Sequence, residues 1–177
     1  MKKTILMLVV LAFTLPAFCL SSRDLYAEVD AQGYVGVNDA SGVVCGDLGA
    51  AADLGIGAVV EYDYALFGYV HVADRLYTAN LSRFVDAPSF LQFSAGVGGH
   101  VRFDRLILSA KIGFTMLESN DSWETGMELS FVPKYIMFEY GASDAMHYSI
   151  GFPVSVLYTG NTSRISVGVA VGMEVYK

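Results

Sequence analysis

Hydrophobic residues recur at every second position along most of the chain. Phe90–Met116 shows this most clearly. Leu91, Phe93, Ala95, Val97, Val101 and Phe103 alternate with Gln92, Ser94, Gly96, Gly98, His100 and Arg102. After Asp104-Arg105 the pattern restarts, with Leu106, Leu108, Ala110, Ile112, Phe114 and Met116 set against Ser109, Lys111, Gly113 and Thr115. A period of two is the mark of a strand whose two faces meet different surroundings. The same alternation runs through Leu54–Tyr62, Trp123–Phe131, Met146–Tyr158 and Ile165–Tyr176. "LYAEVDAQGYVGV", "LFGYVHV" and "YIMFEY" are less regular but also strand-like.

Turn chemistry separates these runs. Asp104-Arg105, Val132-Pro133-Lys134 and Thr159-Gly160-Asn161-Thr162 read as short turns. Longer polar or small-residue connections are predicted around Asn38–Asp53, Asp74–Ser89, Leu117–Ser122 and Gly141–Asp144. Nine strand-like segments result, whereas an antiparallel sheet that closes into a barrel uses an even number, from eight upward in a chain of this kind. Either one segment is not a barrel strand, or Leu25–Val37 is a hairpin turning near Gln32-Gly33. Chain length favours eight strands, with ten as the alternative.

The N-terminus interrupts the alternation. "MKKTILMLVVLAFTLPAFCLSS" has two lysines, an apolar run and then Pro16 with small residues, the layout of a secretory signal peptide. Residues 1–22 are read as that signal, cleaved between Cys19 and Ser22, and 23–177 as a single barrel domain. "LPAFC" places bulky Phe18 before Cys19, which makes a poor lipidation signal. Without Cys19 the mature chain has Cys45 alone, so no intramolecular disulfide can hold the fold.

Composition decides which environment the two faces meet. Charged residues make up 16% and hydrophobic ones 54%, against about 25% charged in an ordinary soluble domain. Losing Lys2 and Lys3 leaves nine basic residues against 18 acidic, a mature net charge of −9. An acidic chain without a basic cluster is excluded as a nucleic-acid binder. A soluble ligand-binding barrel would put many charges on its outer face. Here the polar face is mostly Gly, Ser, Thr and Ala with sparse charges, which suits a narrow lumen, and the apolar face suits lipid. The pattern therefore predicts an all-β fold: one antiparallel up-and-down transmembrane β-barrel.

On that reading Leu91, Phe93, Val97, Val101, Leu108, Ile112, Phe114, Val167, Val169 and Val171 face lipid. Gln92, His100, Arg102, Lys111, Glu124, Glu128 and Glu174 face the lumen, where Lys111 is placed to pair with Glu124 or Glu128. Tyr62, Tyr64, Phe103, Trp123, Tyr158 and Tyr176 are expected in interfacial girdles.

With this architecture the chain resembles the small outer-membrane β-barrels of the OmpA-transmembrane, OmpX and OmpW type. The resemblance is architectural and covers nearly all of the mature chain. It implies a bacterial outer-membrane location, contact with outer-membrane lipid, and recognition by the barrel-assembly machinery. That class usually ends in an aromatic residue. In "GVAVGMEVYK" the last place is Lys177 and the aromatic, Tyr176, comes one position early.

Few residues suggest chemistry. His147-Tyr148-Ser149 resembles the His-x-Ser of outer-membrane lipid A deacylases, making His147 and Ser149 the weak catalytic candidates. In that family an Asn follows the Ser and a Glu lies further on. Here Ile150 follows Ser149, and Ser155 to Asn161 contains no acid. His71, His100 and His147 lack metal-ligand spacing. Glu124 and Glu128, four apart on a strand, are roughly 13 Å from one another, too far for a paired-carboxylate hydrolase. No cofactor or metal is expected. The sequence thus predicts a non-enzymatic barrel that is either a narrow channel for small or apolar solutes or a structural and surface-interaction protein. The alternatives are a periplasmic or lipid-anchored soluble barrel binding a small ligand, and a lipid A-modifying hydrolase.

Overall fold

A computed structural model describes residues 25–40, 43–61, 63–78, 89–119, 122–141 and 145–177. The signal segment, Cys19 and Tyr62 lie outside the described residues. Among the described residues, nine strand segments follow one another: β1 Leu25–Ala40, β2 Val43–Glu61, β3 Tyr64–Thr78, β4 Ser89–Phe103, β5 Leu106–Ser119, β6 Ser122–Tyr140, β7 Ala145–Gly151, β8 Val154–Thr159 and β9 Thr162–Tyr176. Each pairs antiparallel with its sequence neighbour, except across the β7/β8 break. β1 pairs with β9 from Tyr26↔Tyr176 to Ala40↔Thr162, so the sheet closes on itself. Closure leaves no unpaired edge, which a strand surrounded by hydrocarbon cannot carry.

Nine segments make eight staves. β7 and β8 both lie between β6 and β9, end to end. The alternation of buried and exposed residues continues unbroken across Phe152-Pro153. Pro153 has no N–H to give the ladder, so strand bonding lapses there. The neighbouring groups still bond: Phe152 N donates to Pro133 O at 2.9 Å, and Gly168 N donates to Pro153 O at 2.9 Å.

Several expected turns are strand. Val132-Pro133-Lys134 lies inside β6, where Leu108 opposes Pro133 and Ile107 opposes Lys134. "WETGMELSF" and "YIMFEY" are therefore one stave, which removes the odd segment. Gln32-Gly33 sits mid-strand in β1, so the hairpin and the ten-strand option fall. Most of Asn38–Asp53 is strand, with residues 41–42 between β1 and β2, and β3 runs to Thr78. Leu117–Ser122 likewise is mostly strand, with residues 120–121 between β5 and β6. Composition misled here because Gly and Ala in Asn38–Asp53, and polar residues in Asp74–Thr78 and Leu117–Ser119, read as loop.

Asp104-Arg105 is a two-residue turn, with Asp104 at φ 54°, a left-handed conformation Asp tolerates through its short polar side chain. It lies at the end of the barrel that carries both termini of the described chain, where Leu25 and Lys177 exchange backbone bonds of 2.9 Å. Thr159–Thr162 turns at the opposite end. That end also holds the 41–42 and 120–121 connections, so long loops are not its general rule; only 79–88 is long.

The outer wall is apolar. Val97 is 63% exposed, Leu66 63% and Val171 59%. On β9, Ile165, Val167, Val169, Val171, Met173 and Val175 point out, and no outward position of this run carries a charge. At about 3.4 Å per residue and a tilt near 40°, Ile165 to Val175 covers roughly 26 Å of height, close to the ~25 Å band of a membrane barrel. Among the described residues, outward charges appear only towards the ends, as Asp39 and Asp74 at one and Glu61, Asp104 and Arg105 at the other.

Candidate functional site

The inner face is the chemically distinctive part. Its residues come in layers, because every second residue of a strand climbs one step up the lumen. On β1 these are Tyr26, Glu28, Asp30, Gln32 and Tyr34, all buried.

Nearest the termini lies an aromatic layer. The Tyr26 ring sits 5.1 Å from Phe67, 4.7 Å from His100 and 5.3 Å from Tyr176. His147 packs on Tyr176 at 5.0 Å, and Tyr176 Oη lies 2.8 Å from His100 Nε2. Tyr176 was expected in an outer girdle; it points inward instead, onto Tyr26 and His100. Tyr64, Phe103, Trp123 and Tyr158 are exposed on the outside.

Above this lies a lysine layer. Lys111 Nζ is 2.6 Å from Glu28 Oε1 and 2.9 Å from Asp53 Oδ2. Lys134 Nζ meets Glu28 at 3.1 Å, Asp30 at 2.8 Å and Glu174 at 2.8 Å. Lys111 was expected to pair with Glu124 or Glu128. It reaches β1 and β2 instead, and Glu128 is taken by Ser94 at 2.7 Å and Gln92 at 2.9 Å. Glu28, Asp30 and Glu174 have carboxylate oxygens within 4.8 Å of one another, the spacing of a metal site. Lys134 Nζ bonds all three, so the cation there is an ammonium.

An arginine layer follows. Arg75 Nη1 donates to Asp47 at 2.8 Å and Nε to Gln92 Oε1 at 2.9 Å, and its guanidinium lies 4.0 Å from the Tyr34 ring centre. Arg164 Nη2 donates to the same Gln92 oxygen at 2.6 Å, and its Nε lies 3.4 Å from Asp47. At the far rim Glu124 accepts from Thr159 at 2.6 Å and Thr162 at 3.1 Å.

Inward glycines make this filling fit. A Cβ on Gly55 would come 2.6 Å from Glu28 Cγ, one on Gly98 2.6 Å from Phe67, and one on Gly172 would overlap Asp30 Oδ1. What remains open among Gln32, Tyr34, Asp53, Tyr69, His71 and Lys111 is a cavity of about 10 Å³, the space of roughly one water.

Of the sequence-derived lumen residues, Gln92, His100, Lys111, Glu128 and Glu174 are buried inside, while Arg102 and Glu124 are partly exposed. Arg102 bonds Glu139 and approaches His147 Nε2 at 3.2 Å. The ten outward candidates from Leu91 to Val171 are all exposed or half-exposed on the outer wall. His147 and Ser149 are both buried but engage different partners: Ser149 Oγ donates to Glu174 at 3.0 Å, while His147 Nε2 faces Arg102. Sequence reasoning missed Glu28, Asp30, Asp47, Asp53, Arg75 and Arg164. The signal was present on β1, where Glu28, Asp30 and Gln32 alternate with Val29, Ala31 and Gly33.

Comparison with protein-family models and with curated proteins finds no match. Solved structures do match. The crystal structure of Neisserial surface protein A aligns with TM-score 0.56 at 16% identity, over 86% of this chain and 97% of that one. Ail, the attachment invasion locus protein of Yersinia pestis, solved with the heparin analogue sucrose octasulfate, aligns with TM-score 0.51 at 10% identity, over 85% of this chain and 99% of that one. Both are outer-membrane β-barrel proteins. A closed antiparallel ring of eight staves, apolar outside and polar within, is the fold this chain shares with the small outer-membrane β-barrels.

Proposed function

We propose that the chain is an integral outer-membrane barrel with a structural or surface-interaction role, and that it is neither a solute channel nor an enzyme. The observation that carries this reading is the filled lumen. Aromatic, lysine and arginine layers occupy successive heights, and the cavity between them takes about one water. A narrow path for solutes would have to break buried ion pairs, which are costly to separate in a low-dielectric interior. The charge-free outer band supports placement in a bilayer over a soluble or lipid-anchored barrel. A hydrolase is disfavoured because the Ser149 hydroxyl donates its hydrogen bond to Glu174 and not to His147, so the nucleophile–base contact is not made.

In this reading the end with the termini and the Asp104-Arg105 turn faces the periplasm, and the opposite end faces out. Outer-membrane lipid surrounds the wall, and the barrel-assembly machinery inserts it. Exposed Asp39 and Asp74 make the outer rim acidic, which disfavours a polyanion such as the heparin analogue bound by Ail. Purified protein in planar bilayers is expected to give no steady ion conductance, and the protein is expected to stay with outer membranes after a carbonate wash. Sustained, resolved single-channel currents would overturn the structural reading; release by carbonate would overturn the membrane placement.

A further inference from the structure

The outer wall has a groove that the lumen argument does not use. Across β2 to β6, Ala58 opposes Leu66, Leu66 opposes Gly99, Gly99 opposes Ala110, and Ala110 opposes Phe131. Gly99 and Ala110 thus form a low floor among tall neighbours. Two hollows of about 720 and 700 Å³ share Leu66, Gly99 and Ala110. One extends to Val97, Ile112 and Leu129 in mid-wall. The other runs towards the termini end, past Val101 and Tyr64 to Glu61. The result is an apolar channel-like depression with a carboxylate at its rim.

Resting on the membrane reading above, we propose that this groove seats one acyl chain of a phospholipid with a primary-amine headgroup, from the leaflet at the termini end. Hydrocarbon is the only medium at that depth, and close packing, not water exclusion, holds the chain there. The headgroup decides which lipid stays. The rim beside the groove carries Glu61, Asp63 and Asp104 against Arg102 and Arg105, and Arg102 is already bonded to Glu139. The turns are tied together by Arg102 N donating to Asp63 O at 2.8 Å. The excess of carboxylate there attracts an ammonium and repels a purely anionic head.

The test uses nanodiscs of phosphatidylcholine containing equal small fractions of phosphatidylethanolamine and phosphatidylglycerol, followed by native mass spectrometry of the extracted barrel. The wild type is expected to retain one phosphatidylethanolamine, roughly fivefold over phosphatidylglycerol, the scale of one partly exposed ion pair. Ala110→Leu, on the outer surface, is expected to lose the retained lipid. Glu61→Gln is expected to keep a lipid but lose the headgroup preference. Heat-modifiable gel migration reports folding of each variant. Equal retention of both lipids by the wild type, or unchanged retention by Ala110→Leu, would overturn the groove assignment while leaving the membrane barrel standing. Failure of the wild type to enter nanodiscs would overturn both.

Discussion

The lysine and arginine layers solve one problem, charge inside a narrow barrel, by different means. Lys111 and Lys134 each gather carboxylates from separate strands: Glu28 on β1 for both, Asp53 on β2 for Lys111, Asp30 and Glu174 on β1 and β9 for Lys134. An ammonium with three rotatable donors suits such a gathering point. Arg75 and Arg164 instead share acceptors, both donating to Gln92 Oε1 and both near Asp47. A planar fork suits sharing, and Arg75 also stacks on Tyr34. The difference concerns redundancy. Each acceptor in the arginine layer keeps a second cation when one is removed; around Lys134, Glu28 keeps Lys111 at 2.6 Å and Asp30 has it only at 3.7 Å, while the ion pair of Glu174 is with Lys134.

The largest effect is therefore expected from Lys134→Met. It leaves Glu28, Asp30 and Glu174 together and buried, with Lys111 reaching only part of the group, and costs about 3–5 kcal/mol of stability. Urea titration of the barrel in bilayers measures it; a loss below about 1 kcal/mol would remove the distinction between the layers. Next is a charge on the opposite face of the wall. Val97→Arg, mid-wall and 63% exposed, should cost about 2–4 kcal/mol in a bilayer, and a neutral result would mean that this face meets water. Arg164→Met should cost less, about 1–3 kcal/mol, because Asp47 keeps Arg75 at 2.8 Å and Gln92 keeps Arg75 Nε at 2.9 Å. Smallest is Ser155→Ala, which removes one hydroxyl pair with Ser166 at 2.7 Å and should cost about 1 kcal/mol in the same titration.

How much of this was legible in the sequence differs by stave. β4, β5 and β9 were readable because outward apolar and inward small or polar side chains alternate along most of their length, with Ile107 and Leu117 on β5 as inward apolar exceptions, so both faces could be assigned. β6 was not, because Pro133 beside Lys134 reads as a turn. In the barrel, Pro133 opposes Leu108 with its ring on the outer wall, and Lys134 turns inward to its carboxylates. The early part of β2 was hidden by its glycines and alanines, which local propensity places in loops. They are strand because neighbours on both sides supply the ladder.

The site was legible as a polar face and illegible as a set of pairs. Alternation puts Lys111 inward but cannot say that Glu28, far away in sequence, is the partner and Glu128 is not. That depends on barrel closure through β1 and β9, which brings the first strand against the last and fixes the height of each inward residue by register. Tyr176 shows the same limit. Its place near a strand end suggested a girdle, while the step of its strand turns it onto Tyr26 and His100.

The central claim is that the apolar face of the wall meets lipid while the polar face closes on itself. Spin labels on single cysteines test it most directly, with Cys45 replaced by Ser and the protein in bilayers. Labels at Val97, Ile112 and Val169 are expected to be relaxed strongly by oxygen, which concentrates in hydrocarbon, and hardly at all by a water-soluble nickel chelate. Strong relaxation by the nickel chelate at these three positions would contradict the account.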